Sequence, residues 1–376
     1  MSSAPDFDRP DHLHLAVALD GTGWHPASWR EPVARPGDLF TAGYWADQIA
    51  EAERGLLDFV TIEDGLGPQS SRPLEPDDRT DLIRGRLDAV LIAARVAPLT
   101  RHIGLVPTVV ATHTEPFHIS KAIATLDYVS HGRAGWQPRV SVTTHEAALF
   151  GRRDGSQIPL FEEAREYVDV VRRLWDSWED DAVIRDVTTG RYVDTDKLHY
   201  IDFTGKYFSV KGPSITPRPP QGQPVVAGLA HAGPVYEFAA ASADVVFITP
   251  SDSPSDDTAV RTILDEVRAA DGGRLKVFAD VVVSFDGDGD FKSDALVFAG
   301  SATELVDMLL DWQRLGIDGA RLRPAVNATD LPTIVDEVVP ILQRAGRFRA
   351  AYRDGETLRE RLGLPVAPNR YTAVHQ

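Results

Sequence analysis

Eight times along the chain, a short run rich in Val, Ile and Phe is followed by a helical pattern. The runs are His14–Leu19, Leu57–Glu63, His102–Val110, Gly135–Val142, Pro224–Ala230, Asp244–Thr249, Lys276–Phe285 and Gly319–Arg323. Helical patterns follow at Leu39–Arg54, Leu87–Val96, Ile119–Val129, Glu162–Trp178, Tyr236–Ala241, Asp257–Ala270, Ala302–Leu315 and Leu331–Arg344. In the stronger helices apolar residues recur every three or four positions, as Tyr167, Val168, Val171, Leu174, Trp175 and Trp178 do. Few polar residues interrupt the strands, which suits parallel strands covered on both faces. The pattern predicts an α/β fold, a (β/α)8 barrel of the TIM type, filling residues 1–376 as one domain. A doubly wound open sheet is the rival. Such a sheet carries a glycine-rich phosphate turn after its first strand, and DGTGWHP (Asp20–Pro26) does not fit one.

Two insertions exceed what a connector needs. Gly65–Asp81 follows the second strand, and residues 179–223 follow the fourth helix and contain GKYFSVKGP, which reads as a small hairpin. Both are expected at the C-terminal mouth of the barrel or beside it, where long loops select substrates. The last stretch, residues 347–376, reads as an irregular C-terminal surface arm.

Lysine plus arginine number 39 and aspartate plus glutamate 56, a formal charge of −17. That field opposes nucleic acid and anionic membrane surfaces as general partners. No run approaches the roughly 18 apolar residues of a membrane span. The opening MSSAPDFDRPDH is polar and acidic, unlike a secretory signal. The chain has no cysteine, which excludes disulfides, thiolate nucleophiles and zinc–thiolate sites. A cytoplasmic location is the expectation.

In a barrel the strand C-terminal ends carry the chemistry. Those positions hold Asp20, Glu63, Asp64, Thr108, Thr112, His113, Gln137, Arg139, His231, Thr249, Arg321 and Arg323. Glu63 and Asp64 are adjacent and so point to opposite faces of a strand, which excludes them as a facing acid/base pair. His113, Glu115 and His118 straddle Pro116 at a turn, and the DGDGD run at 286–290 lacks the glutamate that closes a calcium loop; no metal is expected. His12 and His14 alternate on the first strand and His231 could serve as a later histidine, but the lysine bridge and terminal aspartate of a metal hydrolase are missing. No G-x-S-x-G elbow is present. After the fifth strand, His231–Ala232–Gly233–Pro234 lead into a helix. Small residues there would let backbone N–H groups meet a phosphate, or form only a tight turn.

Several ordered blocks carry a resemblance. GWHPASWR (Gly23–Arg30), LDFVTIED (Leu57–Asp64), IGLVPT (Ile103–Thr108) and TEPFHISKAIATLDYVSHGRAGW (Thr114–Trp136) read like the bacterial-luciferase-like flavin monooxygenases. LWDSWEDDA (Leu174–Ala182), GKYFSVKGP (Gly205–Pro213), ADVVF (Ala243–Phe247) and TLRERLGLP (Thr357–Pro365) point to the nitrilotriacetate and dibenzothiophene-sulfone branch. The resemblance implies a barrel that binds reduced FMN at its C-terminal mouth and passes one atom of O2 to a small organic substrate. It also implies a separate NAD(P)H:flavin reductase and a homodimer. By that resemblance Asp64 and Thr108 lie at the flavin ring, and Gln137 stands where the family has an asparagine. The family's phosphate-binding serine aligns with Ala232, leaving backbone donors of Ala232 and Gly233. Its Arg–Tyr pair aligns with Leu160 and Phe161, so those polar groups are absent here. Arg139, Arg152 or Arg153 would compensate. His25 and His14 are the candidate polar groups near oxygen or substrate. A reduced deazaflavin as hydride carrier, or a barrel retained as a non-catalytic subunit, remain the alternatives.

Overall fold

The computed structural model describes residues 12–72, 75–151, 159–230, 233–250, 257–285, 287 and 289–372. Eleven strands occur among them: β1 His14–Leu19, β2 Phe59–Ile62, β3 Gly104–Val110, β4 Gly135–Arg139, β5 Phe203–Thr204, β6 Ser209–Val210, β7 Val225–Ala230, β8 Val245–Ile248, β9 Lys276–Ser284, β10 Leu296–Ala299 and β11 Gly319–Pro324. Eight of these close a parallel ring in the order β1-β2-β3-β4-β7-β8-β9-β11, with β11 returning to β1. The open-sheet rival is thereby excluded, and each of the eight runs read from the sequence supplies one barrel strand. A ninth parallel strand, β10, adds to the outer edge of β9 and had no counterpart in the sequence reading. Helices α1 Ala42–Arg54, α2 Ala89–Val96, α3 Pro116–Val129, α4 Thr144–Phe150, α5 Leu160–Asp176, α6 Gly233–Ser242, α7 Asp257–Asp271 and α8 Ala302–Leu315 follow in chain order. None is long and apolar enough to cross a membrane among the described residues.

Strand alternation sorts side chains between two cores. Leu13, Leu15, Val17 and Leu19 point outward into the helix layer, with Ile49, Ile92 and Leu309. Ala16, Phe59, Val106, Val225, Phe247 and Phe278 fill the barrel interior. Higher up the same faces carry Thr61, Gln137, Asp280, Arg321 and Arg323, all buried. The interior thus changes from hydrocarbon to ionic toward the strand C-termini.

The C-terminal segment is not a surface arm. Its short helix α9 Leu358–Arg361 starts at a Thr357–Glu360 capping box, and Leu358 and Leu362, both 0% exposed, close the bottom of the barrel interior. Arg359 bonds Asp244 at 2.9 Å, and Arg361 donates to the carbonyls of Asp58 and His102. The reason is compositional: two leucines four residues apart on one helical face need a core, and the open barrel end offers one.

The second insertion does form the hairpin expected of it, β5 against β6. It packs on the outside of α5, where Glu166 accepts from the Lys206 amide at 2.8 Å and Glu162 from the Tyr207 hydroxyl at 2.8 Å. It therefore lies beside the barrel, against α5.

Candidate active site

A cavity of about 510 Å³ opens among the C-terminal strand ends, within the size range of small-molecule sites. The first insertion roofs it through Gly65, Gly67, Pro68, Gln69, Ser70, Arg72, Glu75 and Pro76. Residues 179–223 contribute nothing to its lining, so of the two insertions only the first reaches this cavity. Glu146, on α4, accepts from the Leu66 amide at 3.3 Å and so ties the roof to the wall.

One wall is apolar: Leu229 from β7, Val235 and Phe238 from α6, and Phe161 from α5, whose ring lies 6.0 Å from that of Phe238. The opposite wall is ionic. Arg86 donates to both oxygens of Asp20, at 3.2 and 2.6 Å. Burial works against the Arg86 charge, but Asp20 outweighs it and the guanidinium is held above its ordinary pKa. At the floor Arg321 grips Asp280 at 2.8 and 2.6 Å, and Arg323 bonds both Asp280 and Asp294. Burial alone would raise the Asp280 pKa; the two guanidiniums overcome it and hold the carboxyl ionised. The Trp24 ring lies 4.4 Å from the Arg323 guanidinium. Trp24 is placed by Gly23, whose φ of +139° brings the chain so close to β11 that a Cβ would sit 2.2 Å from the Ala325 carbonyl oxygen.

The predicted site residues separate into groups. Gln137 lines the cavity, 3% exposed, and its Oε1 accepts from Arg321 at 2.9 Å. Thr108 is its register partner on β3, wholly buried, with an Oγ that has no hydrogen-bond partner. Asp64 is turned away: its carboxylate accepts from the Gly65 and Ala89 amides, at 2.7 and 2.9 Å, at the start of α2. Burial raises its pKa. The strand-tip acid that lines the cavity is its neighbour Glu63. His25 lies outside the lining; its Nδ1 accepts from the Ala27 amide at 3.0 Å and its ring edge meets Phe291. His14 is a correction. As the first residue of β1 it sits at the opposite end of the barrel, with Nδ1 3.1 Å from Asp58, because a strand's first residue cannot reach the C-terminal mouth. Gly233 begins α6, whose Val235 and Phe238 reach the cavity, while Ala232, Arg152 and Arg153 lie outside the described residues. Arg139 donates to the Asp64 carbonyl at 2.7 Å.

The sequence reading singled out Arg321 and Arg323 only as strand-end residues and passed over Asp280. The signal for Asp280 was one acid inside KVFADVVVS, on the same strand face as Phe278 and Val282. Arg86, Trp24 and Asp294 come from irregular segments and had no periodic signal. No group of three or more potential metal ligands occurs among the described residues.

Comparison with known proteins gives a consistent result. A family model described as luciferase-like monooxygenase matches residues 24–290. The chain is 30% identical to N-acetyl-S-(2-succino)cysteine monooxygenase of Bacillus subtilis (strain 168), over 96% of this chain and 99% of that one. It is 30% identical to nitrilotriacetate monooxygenase component A of Aminobacter aminovorans, over 95% and 97%. Among solved structures, riboflavin lyase with modified FMN and riboflavin superposes with a TM-score of 0.82 at 23% identity, covering 94% of this chain and 96% of that one. A closed parallel barrel with a roofed cavity at its C-terminal mouth, and a family match across most of its length, place this chain in the luciferase-like monooxygenase family.

Proposed function

We propose that the protein is a flavin-dependent monooxygenase that uses reduced FMN and O2 to oxygenate a small organic substrate. The observation that carries this reading is the cavity itself, with one apolar wall, one polar wall and buried polar atoms left unpaired. FMN combines a flat apolar tricycle, a polar ring edge and a phosphate. Leu229 and Phe238 offer a surface for the tricycle. Gln137 and the unpaired hydroxyl of Ser141 offer partners for polar edges and the ribityl chain, and the unpaired hydroxyl of Thr108 is buried beside Gln137. Asp64, expected near the ring, would act through its backbone, since its carboxylate is occupied by the Gly65 and Ala89 amides. The N-terminal turn of α6, from Gly233, supports an anion. The residues present therefore fit the group.

When bound, the reduced flavin supplies the electrons that activate O2. This chain's residues bind, orient and exclude water. The roof residues Gly65, Gly67 to Ser70, Arg72, Glu75 and Pro76 and the Glu146–Leu66 contact shelter the cavity, and a dry site protects reactive species from hydrolysis. With the roof built from one long loop, substrate selection falls to Gln69, Ser70, Arg72 and Glu75. A relative named as a component A fits a multi-component system, and we assign the supply of reduced FMN to a separate NAD(P)H:flavin reductase. A homodimer working in the cytoplasm completes the proposal.

The test mixes the protein with such a reductase, FMN, NADH and a panel of sulfones, amines and ketones under 18O2. The expected result is a product carrying one labelled oxygen, formed only when reduced FMN is supplied. Tight binding of a reduced deazaflavin with none of FMN would refute the cofactor assignment, and binding of neither would refute the enzyme.

A further inference from the structure

Arg321 is 1% exposed and every nitrogen of its guanidinium is engaged. Nε and Nη2 donate to Asp280, at 2.8 and 2.6 Å, and the Phe247 ring centroid lies 4.0 Å away. Nη1 donates to Gln137 Oε1 at 2.9 Å, with Thr61 Oγ and Glu63 Oε1 each at 3.3 Å. Such a group has little left with which to grasp a ligand. Its effect on Gln137 is a different matter. An arginine carries donors only, so the side-chain oxygen of Gln137 must face it and the NH2 must face elsewhere. Gln137 lines the cavity, and Thr108, its register neighbour, keeps a buried hydroxyl without a partner at the same level.

We propose that Arg321 is a positioning residue for the cofactor site: by holding Gln137 through its oxygen it presents the amide NH2 to the cavity, so the atom recognised there is a hydrogen-bond acceptor. This rests on the flavin reading above, in which the acceptor is a carbonyl oxygen or unprotonated nitrogen on the edge of the isoalloxazine. Asp280 fixes Arg321 from below with two parallel bonds, a geometry that allows the guanidinium no rotation. Glu63 also faces Arg321, and it is the direction of Gln137 that Arg321 supplies.

Oxidised FMN is the probe, titrated into wild type, Gln137→Glu, Arg321→Lys and Arg321→Gln. The readouts are Kd, the visible spectrum of bound FMN, and thermal melting of each protein. Gln137→Glu turns a carboxylate oxygen toward the acceptor and is expected to weaken binding about tenfold or more. Arg321→Lys remains a donor-only partner and keeps the wild-type spectrum. Arg321→Gln can donate or accept, frees the amide of Gln137 to reverse, and shifts the spectrum, although both Arg321 variants lose similar stability. Should the Arg321 variants not fold, Gln137→Glu decides alone. A wild-type Kd for Gln137→Glu, or identical spectra for Arg321→Lys and Arg321→Gln, overturns the inference while the flavin reading stands. Failure of wild type to bind FMN overturns both.

Discussion

Replacing Leu358 by alanine tests whether the C-terminal segment is structural. Leu358 is 0% exposed and enters the barrel from below, between Ala16, Phe59, Val106 and Phe278. Its surroundings leave no slack: a Cβ added at Gly104 would come within 2.7 Å of a Leu358 methyl. The neighbours are β-strands locked in a closed ring, so they cannot collapse into the space that truncation leaves. Leucine-to-alanine losses span about 2–5 kcal/mol and rise with the cavity that persists, which puts this site in the upper half, about 3–5 kcal/mol. Equilibrium urea unfolding, followed by tryptophan fluorescence and far-UV circular dichroism, measures it as a drop in midpoint at unchanged slope. FMN binding at the other end of the barrel is expected to remain. A loss under about 0.5 kcal/mol, typical of exposed positions, would show that the segment only lies against the barrel and does not seal it.

Two further outcomes follow from single residues. Burial pushes the Asp127 carboxyl up to about 6, despite bonds from the Gln221 amide and side chain and the Ala134 amide. The folded state then binds this proton more tightly than the unfolded chain, so the group's contribution to stability grows as pH falls through 6 and is lost above it. The urea midpoint of wild type relative to Asp127→Asn should accordingly increase between pH 7 and pH 5; a constant difference would contradict the assignment. Glu146→Ala removes the acceptor for the Leu66 amide and loosens the roof. With substrate present, more O2 should end as hydrogen peroxide and less as product, and unchanged coupling would argue against a sheltering role.

The barrel was legible because its signal is repeated eight times and each copy obeys the same physics: a strand covered on both faces, then a helix with one apolar stripe. β10 escaped because LVFA is four residues long and follows an acidic, glycine-rich turn. The misreading of residues 347–372 arose from weighing the irregular end of the segment over its leucines; the Thr357–Glu360 cap and the Leu358–Leu362 spacing were there to be read. Strand-end position and resemblance put Gln137 and Thr108 forward; Gln137 lines the cavity, while Thr108 is buried beside it and outside the lining. Asp64 came from the resemblance, whereas strand parity turns its neighbour Glu63 to the cavity. His14 was misplaced because a histidine on a strand says nothing about which end of the barrel it occupies until the strand's direction is applied.

The ionic layer around Asp280 poses a sharper question, because a buried ion network is seldom kept for stability. Desolvating these groups costs several kcal/mol per ion, and apolar side chains of similar volume often do as well or better. Asp280→Leu, Arg321→Met and Arg323→Met together remove the two guanidiniums and the carboxylate they share. Asp294 is 53% exposed and keeps its water, and Glu63 still feels the charge of Arg86. The triple variant is therefore expected to fold with stability equal to wild type or about 1–4 kcal/mol above it, while its affinity for FMN falls because nothing fixes Gln137. Asp280→Leu alone should be far worse, about 3–5 kcal/mol less stable, since two buried cations lose the carboxylate they share and keep only Glu63 and Asp294 at its margin. Urea unfolding and FMN titration on the two variants separate the possibilities. A triple variant that is less stable than wild type but still folded, and binds FMN as before, would show the layer to be a stability element with no part in the site.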